Sequence, residues 1–374
     1  MKVAIVNRFF HRAGAVPSVA REWAEQLEAA GHEVFVFASD VNAADSAARR
    51  TYVPVRLGRI KAFDLAGFAF ARRLSAALRR VPDKRPDVIL CVDSTAYFGA
   101  WYAGKRLRVP SIMIFQGWIY DPARRDMYPR TIRWAYKLSV HLCSRWAPLI
   151  GCLNYQIHDG LRTLGTLHDR LWLAPNCIDL KLWPSAKEGA HPREERRLLF
   201  VGRLSREKGL PFLLEAMPAV LEKHPNVRLL LLGGTEAQYG EYHEMARRLG
   251  IADHVEFGGL VPREAMPGIY ADADLMVFPS LGEGHPLSLL ECLACGTPVV
   301  GTSVPGLRQT VQEGINGFLV HAADAPALAA GICKVLADPR LLDRMTRAAR
   351  PSVERFSWDH RIKEFEALVP NLKP

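Results

Sequence analysis

The sequence predicts two α/β domains, each built on a parallel sheet, and three observations predict it. Short β-rich apolar runs alternate with amphipathic helical stretches along the chain. The alternation occurs twice, on either side of a mixed-charge run with two prolines at 181–197. The length of 374 residues also exceeds the size at which a single hydrophobic core stops growing.

In order, the first half predicts a strand over 2–7, a loop over 8–17 and a helix over 18–30. That helix has Val19, Trp23, Leu27 and Ala30 on one face, with Ser18 as its N-cap. Gly31 ends it, and a second strand follows over 33–38. Further strands are expected over 88–92, 111–115, 149–152 and 171–174. The second half predicts a strand over 198–201, a loop over 202–209 and a helix over 210–223. Strands over 227–232, 255–257, 275–278, 298–301 and 317–320 follow. Trp358, Ile362, Phe365 and Leu368 recur at helical spacing and predict a closing helix over 357–368. The expected organisation is a first domain over 1–180, a linker over 181–197 and a second domain over 198–355. The tail 356–374 is expected to pack back toward the first domain. Parallel sheets bind ligands beyond the carboxyl ends of their strands, so two such domains predict a site in a cleft to which both contribute.

Composition excludes several classes. With 49% hydrophobic and 24% charged residues, 28 Gly and 25 Pro, the chain is not disordered, collagenous or a repeat array. No apolar run approaches the roughly 18 to 20 residues of a membrane-spanning helix. The N-terminus turns polar after a handful of apolar residues and has no small-residue cleavage site. It reads as a first strand, which predicts a cytoplasmic protein. Seven irregularly placed cysteines predict reduced thiols. The net charge of +10 is one-sided: residues 1–180 hold 26 Lys and Arg against 15 Asp and Glu, and 181–374 hold 23 against 24. Such a field suits a phosphate-bearing partner or an anionic membrane surface, and equally a solvated basic face.

Two segments carry chemistry. Gly202-Arg203-Leu204-Ser205-Arg206-Glu207-Lys208-Gly209 lies between a predicted strand and a predicted helix. Two cations near a helix N-terminus, with glycines that let backbone approach a ligand, suit a diphosphate. Arg203 can fork onto two oxygens, and Lys208 acts as a point charge. The same segment alone also suits a solvated surface loop. The second segment is Glu283-Gly284-His285-Pro286-Leu287-Ser288-Leu289-Leu290-Glu291, with Pro286 as the first residue of a helix. Backbone N–H groups of Leu287 and Ser288 can bind an anion. Glu291 can accept two vicinal hydroxyls, as on a ribose, and Glu283 those of a hexose; two glutamates eight apart also suit a helix surface.

Val-Gly-Arg-Leu-Ser-Arg-Glu-Lys-Gly at 201–209 and the paired glutamates at 283 and 291, followed by Ala-Cys-Gly-Thr-Pro-Val-Val, resemble glycosyltransferase family 4. Supporting elements lie at Gly31-His32-Glu33-Val34, Arg85-Pro86-Asp87-Val88, Pro175-Asn176-Cys177-Ile178-Asp179 and Phe356-Ser357-Trp358. The resemblance implies the GT-B fold, two Rossmann-like domains facing across a cleft, and a retaining transferase acting on a UDP-, GDP- or similar nucleotide sugar. It implies that Arg203 and Lys208 hold the diphosphate and stabilise the leaving group, that Glu283 holds the donor sugar and that Glu291 holds the ribose. Gly14, Gly202, Gly258, Leu260, Leu287 and Ser288 would complete the donor site, with backbone around Gly258 to Val261 meeting the base. Asp93, Gln116 and Trp118 are acceptor-side candidates. No metal is implied, since cations and a helix N-terminus neutralise the departing phosphate.

The chain departs from the family pattern at three places. Ala13-Gly14-Ala15-Val16 replaces a Gly-Gly pair, Gln116 stands where histidine is common, and Gln309 stands where many relatives have Glu. Gln hydrogen-bonds a hydroxyl and carries no proton, so an acid–base role at 116 is in question. Other readings are another GT-B enzyme, such as a nucleotide-sugar 2-epimerase or a phosphorylase, and a nucleotide-sugar-binding protein without turnover.

Of the remaining signals, Cys292 and Cys295 form a C-x2-C with no second pair at metal spacing, which points to core packing. The histidines show no metal spacing. Residues 61–80 and, more strongly, 124–146 interleave arginines with aromatics, a pattern that suits lipid headgroups, although a helix over 61–80 is ordinarily one packed on the sheet. No nucleic-acid motif accompanies them. With the transferase resemblance, the one-sided charge favours a phosphate-bearing or membrane-held acceptor, so a sugar, lipid-linked or other hydroxyl acceptor in cell-surface polysaccharide or lipid-linked glycan synthesis is expected. These signals also predict a peripheral contact at the inner face of an anionic membrane.

Overall fold

The computed structural model describes residues 1–11, 15–46, 49–55, 73–78, 85–93, 96–117, 130–184 and 194–373. The chain separates into two compact units, Met1–Asn176 with Trp358–Pro374, and Cys177–Ser357.

The first unit carries seven strands: β1 (Lys2–Val6), β2 (Glu33–Ala38), β3 (Arg50–Pro54), β4 (Val88–Cys91), β5 (Ser111–Phe115), β6 (Leu149–Cys152) and β7 (Leu171–Leu173). They pair in parallel in the order β3-β2-β1-β4-β5-β6-β7. The central strands are buried along their length, so they read as apolar runs without alternation. Strand β3 has no counterpart among the expected strands. Its sequence, Arg-Thr-Tyr-Val-Pro, has too few apolar residues to stand out, and its place at the sheet edge explains why so few are needed.

The first helix spans Ala15–Ala29, one turn longer at its start than expected. Ser18 therefore lies inside the first turn and is not the N-cap; its hydroxyl accepts from Arg21 Nη2 at 2.9 Å. Pro17 is tolerated there because the amides of the first turn have no helical partner. Trp23 packs on Trp358 at 5.0 Å and on Phe365 at 5.5 Å, which fastens the helix Trp358–Leu368 to this unit. Of the segment 61–80, only 73–78 lies within the described residues; it is helical, with Leu74 and Leu78 buried.

The second unit carries β8 (Arg196–Val201), β9 (Val227–Leu232), β10 (Val255–Gly259), β11 (Leu275–Phe278), β12 (Val299–Thr302) and β13 (Gly317–Val320). All pair in parallel, in the order β10-β9-β8-β11-β12-β13. One face packs on the helices Leu210–Lys223 and Ala325–Leu336, through Leu213, Met217, Leu328 and Ile332. The other packs on the helix Leu287–Ala294, through Leu289, Leu290 and Leu293. Cys292 and Cys295 are fully buried in that second cluster. Asp274 braces the start of β8, accepting from the Arg197 amide at 2.8 Å and from Arg196 Nη1 at 3.0 Å. The unit begins at Cys177, ahead of the 181–197 run, because Ile178 bridges to Ser357 and Trp183 joins the core.

In both sheets strand order reverses beside the first strand of the unit, between β1 and β4 in one and between β8 and β11 in the other. Such switch points are where open parallel sheets bind ligands.

Candidate functional site

The second unit's switch point is built by the loops that follow β8 and β11. After β8 the chain makes a short turn at Arg206–Lys208 and enters the helix Leu210–Lys223 through Gly209, at φ +66°. A β-carbon at Gly209 would stand 1.9 Å from the Pro279 carbonyl oxygen, so only glycine lets this loop lie against the end of β11. The Leu281 amide donates to the Glu207 carbonyl at 2.7 Å and locks the two loops together.

Across that junction Lys208 Nζ donates to Glu283 Oε1 at 2.7 Å, and Ser280 Oγ donates to the same oxygen at 2.8 Å. Lys208 is largely buried and Glu283 is buried. Both donors hold one carboxylate oxygen, and Oε2 has no hydrogen bond among the described residues. Ser280 is itself held by the Thr302 hydroxyl, which donates to its carbonyl. A β-carbon at Gly306 would approach the Glu283 and Gly284 carbonyls to 2.7 and 2.6 Å, so the glutamate's backbone rests directly on that glycine. Ser280, Thr302 and Gly306 escaped the sequence reading because each is a common residue type whose role exists only through contact with Glu283.

Arg203 lies in the same loop but is separate from this pair. Its side chain is 71% exposed and donates to buried Glu207 at 2.5 Å. Glu207 was not anticipated as a partner; the i,i+4 spacing from Arg203 is the signal that could have found it.

Pro286 is the N-cap, and the helix starts at Leu287, not at the proline. The cap carries no side-chain hydrogen bond, and the amides of Leu287 and Ser288 have no acceptor among the described residues. They stand at the positive end of the helix, three residues after Gly284. Glu291, one turn further, accepts from Tyr270 Oη at 2.9 Å. Burial first, and then the Glu291 carboxylate, push the Tyr270 phenol well above its ordinary range, so it stays a donor. His285 Nε2 pairs with Thr310 Oγ1 at 2.8 Å.

The neighbouring strand ends are close-packed. Gly202 donates to the Leu232 carbonyl at 3.0 Å, and Gly233, at φ +108°, donates to the Gly259 carbonyl at 2.8 Å. Fully buried Tyr239 ties these ends, donating to Gly233 O at 2.6 Å and accepting from the Gly259 amide at 3.0 Å. Gly258 is exposed on β10, and the Leu260 side chain beyond it is 73% exposed.

In the first unit Asp93 follows β4, and its Oδ2 accepts from the Arg8 amide at 3.0 Å. Gln116 follows β5, with a buried Nε2 that has no partner. Gly14 and Trp118 lie outside the described residues. Among the described residues no group of three His, Cys, Asp or Glu is arranged to hold a metal ion, and no helix is long and apolar enough to cross a membrane.

A cavity of about 780 Å³ lies at the opposite, amino edge of the second sheet, lined by Arg197, Arg228, Asp253, Ile269 and Asp272 among others. It shares no residue with the Lys208–Glu283 junction.

Residues 183–352 match the family described as Glycosyl transferases group 1, and residues 16–182 match Glycosyltransferase Family 4. An uncharacterized glycosyltransferase of Methanocaldococcus jannaschii is 36% identical over 173 residues, covering 46% of this chain and 44% of that protein. A D-inositol 3-phosphate glycosyltransferase of Segniliparus rotundus is 37% identical over 196 residues, covering 50% and 44%. The matched stretch is therefore less than half the length of each of these relatives. The fold matches a sucrose-phosphate synthase of Thermosynechococcus elongatus, with a TM-score of 0.84 at 22% identity over 99% of this chain and 98% of that one. It also matches HepE of Anabaena, solved in complex with UDP and glucose, with a TM-score of 0.77 at 18% identity over the whole of both chains. The two family matches adjoin at residues 182 and 183, and both sheets have the expected parallel order. The chain belongs to the family 4 glycosyltransferases and has the GT-B fold.

Proposed function

We propose that this chain is a retaining, metal-independent transferase that moves a hexose-type sugar from a nucleotide diphosphate sugar to an acceptor hydroxyl. The observation that carries this reading is the Lys208–Glu283 junction at the second unit's switch point, beside the unpartnered amides of Leu287 and Ser288. The ammonium has three donors and Glu283 engages one, leaving two for phosphate oxygens. Arg203 supplies a second cation from the same loop, and the two helix amides supply neutral donors to the same anion. The free Oε2 of Glu283 accepts from a sugar hydroxyl, and Glu291, steadied by Tyr270, accepts from the ribose. Gly202, Gly258 and Leu260 complete the donor site, with backbone at 258–261 toward the base. The donor sits on the second unit, and the first unit, with Asp93, Gln116 and Trp118, takes the acceptor. Gly14 is a further candidate for the donor phosphates.

In the reaction the bond from the sugar's anomeric carbon to the diphosphate oxygen breaks. The acceptor oxygen bonds to that carbon on the same face, and its proton passes to the departing phosphate. No protein base is needed, which accords with Gln116, a side chain that carries no proton. A UDP-sugar is the first donor to test, since the HepE structure holds UDP. The test is binding and slow hydrolysis of UDP-, GDP-, ADP- and TDP-sugars with and without EDTA. One stabilising donor, hydrolysed equally in EDTA, is expected; no response to any nucleotide sugar overturns the reading.

The same reading places the enzyme at the inner face of an anionic membrane, in cell-surface or lipid-linked glycan synthesis. The helix Arg130–Trp146 supports it. Trp134 is 67% exposed, Leu138 40% and Trp146 45%, with Arg145 exposed beside them. Exposed tryptophans and cations on one element suit a headgroup layer.

A further inference from the structure

The cavity at the amino edge of the second sheet takes no part in the transfer reaction, yet its volume of about 780 Å³ is that of a small-molecule site. Strand register builds its floor. Met276, Leu199, Leu230 and Glu256 are successive partners across β11, β8, β9 and β10, so they stand in one row on one face of the sheet. Outward along that row, Met276 and Leu199 are fully buried, Leu230 is half-buried, and Glu256 on the edge strand is exposed. The helix Met266–Asp272 covers this face, with Ile269 packed on the same apolar cluster as Leu199 and Leu230. Ile269 is itself only half-buried, so the outer part of the row stays open.

Two residues earlier on the same face, Arg197 and Arg228 are register partners, and a chain of ion pairs closes that end of the cavity. Arg197 pairs with Asp272 and, at 3.6 Å, with Glu195. Arg228 pairs with the other oxygen of Glu195 at 3.5 Å and donates to the Asp253 carbonyl. Both cations are thus answered. The carboxylates of Asp253 and Glu256, which also line the cavity, make no ion pair among the described residues. The unanswered charge is therefore negative, and it stands beside half-buried leucine and isoleucine. An anion would be repelled there, and a cation without hydrocarbon would leave the floor in water.

We propose that this cavity is a second binding site, which takes an organic amine with an apolar body. The ammonium lies against Glu256 and the hydrocarbon over Leu230 and Ile269. The site goes beyond the transferase reading and does not rest on it.

The test is calorimetric binding to the full chain at neutral pH. Phenylbutylamine, phenylbutanol and phenylbutyrate share a body and differ in charge, and methylamine carries the charge without the body. Phenylbutylamine is expected to bind about ten-fold or more tighter than each of the others, the scale of one contact to a charged group. Glu256→Gln, which keeps the shape and removes the charge, is expected to bind the amine no better than the alcohol. Gly268 lines the cavity, and a β-carbon there would meet nothing within 4 Å, so Gly268→Phe fills the space without a clash at the backbone. That variant is expected to bind neither compound. Added salt is expected to narrow the preference for the amine, because Glu256 is exposed. Saturating UDP is expected to leave amine binding within about two-fold, as separate sites without shared partners act independently. No binding of the amine, equal binding of the three matched compounds, or a preference for the carboxylate overturns the proposal. So does undiminished amine binding in both variants, or displacement of the amine by UDP. Failure of UDP itself to bind would overturn the transferase reading and leave this site standing.

Discussion

Lys208 and Glu283 lie 75 residues apart in the chain and 2.7 Å apart in space, joined across the point where the second sheet's strand order reverses. A buried ion pair contributes little net stability, yet removing one partner leaves an uncompensated charge that costs about 3 kcal/mol. Lys208→Met and Glu283→Gln are each expected to reduce transfer by at least about 100-fold, the scale of one lost preorganised electrostatic contact. Lys208→Met is also expected to lower Tm, and the double variant to recover much of that loss, because it buries no lone charge. Turnover in either single variant within a few-fold of wild type would contradict the assignment, as would a Tm loss in the double variant equal to the sum of the two.

Glu291 and Tyr270 make a narrower claim. If Glu291 holds the ribose, the wild-type chain prefers UDP to 2′-deoxy-UDP by about ten-fold, the scale of a hydrogen bond to a charged group. Glu291→Ala is expected to bind both equally. Tyr270→Phe, which removes only the donor that steadies Glu291, is expected to narrow the preference to a few-fold with the fold intact. Titration calorimetry reads both, and an undiminished preference in Glu291→Ala would exclude the ribose role.

The contrast between these pairs and the rest shows what the sequence could carry. Central strands such as Val88–Cys91 and Leu275–Phe278 are buried on both faces, so their composition alone announces them. Strand β3 is at an edge and needs no such run. The cations at 203 and 208 and the glutamates at 283 and 291 were legible because a loop between strand and helix restricts what charge can do there. Which cation meets which carboxylate was not legible, since Arg203 turned to Glu207 while Lys208 took Glu283. Supporting groups such as Ser280, Thr302 and Tyr270 acquire meaning only through tertiary contact.

The thiols give a prediction about pH. All seven cysteines are free and buried. Burial, and then the Asp159 carboxylate, push the Cys152 thiol up from its ordinary 9.0 to about 12. Burial likewise raises Cys91 well above its ordinary value. A thiol whose folded value lies above its unfolded one contributes its full stability below about pH 9 and loses it as pH rises toward 12, because only the unfolded chain ionises in between. Between pH 8 and 10.5, Cys152→Ala is expected to lose about 2 kcal/mol less stability than wild type in urea titrations. A thiol reagent at pH 8 is expected to label none of the seven in the native chain and all seven in urea. Rapid native labelling, or parallel pH profiles for the two proteins, would contradict this.

The exposed face of the helix Arg130–Trp146 is the last claim to be tested. Trp146 stacks on Trp101 at 5.3 Å with rings 20° apart, which anchors the C-terminal end of this helix to the helix Tyr97–Leu107. Trp134 and Leu138, one helical turn apart, project from it without such a partner among the described ring contacts. Burying a tryptophan and a leucine in a headgroup layer stabilises binding by roughly 2 to 4 kcal/mol, and nearby cations add about 1 kcal/mol each on an anionic surface. At physiological salt the chain is expected to sediment with vesicles of phosphatidylglycerol and phosphatidylcholine and not with phosphatidylcholine alone. Replacing Trp134 and Leu138 together by Ser is expected to weaken that binding about 30-fold or more while leaving Tm within a few degrees, because neither side chain is in the core. Equal, weak binding to both vesicle types would remove the membrane from the function, and undiminished binding by the double variant would move the contact to another face.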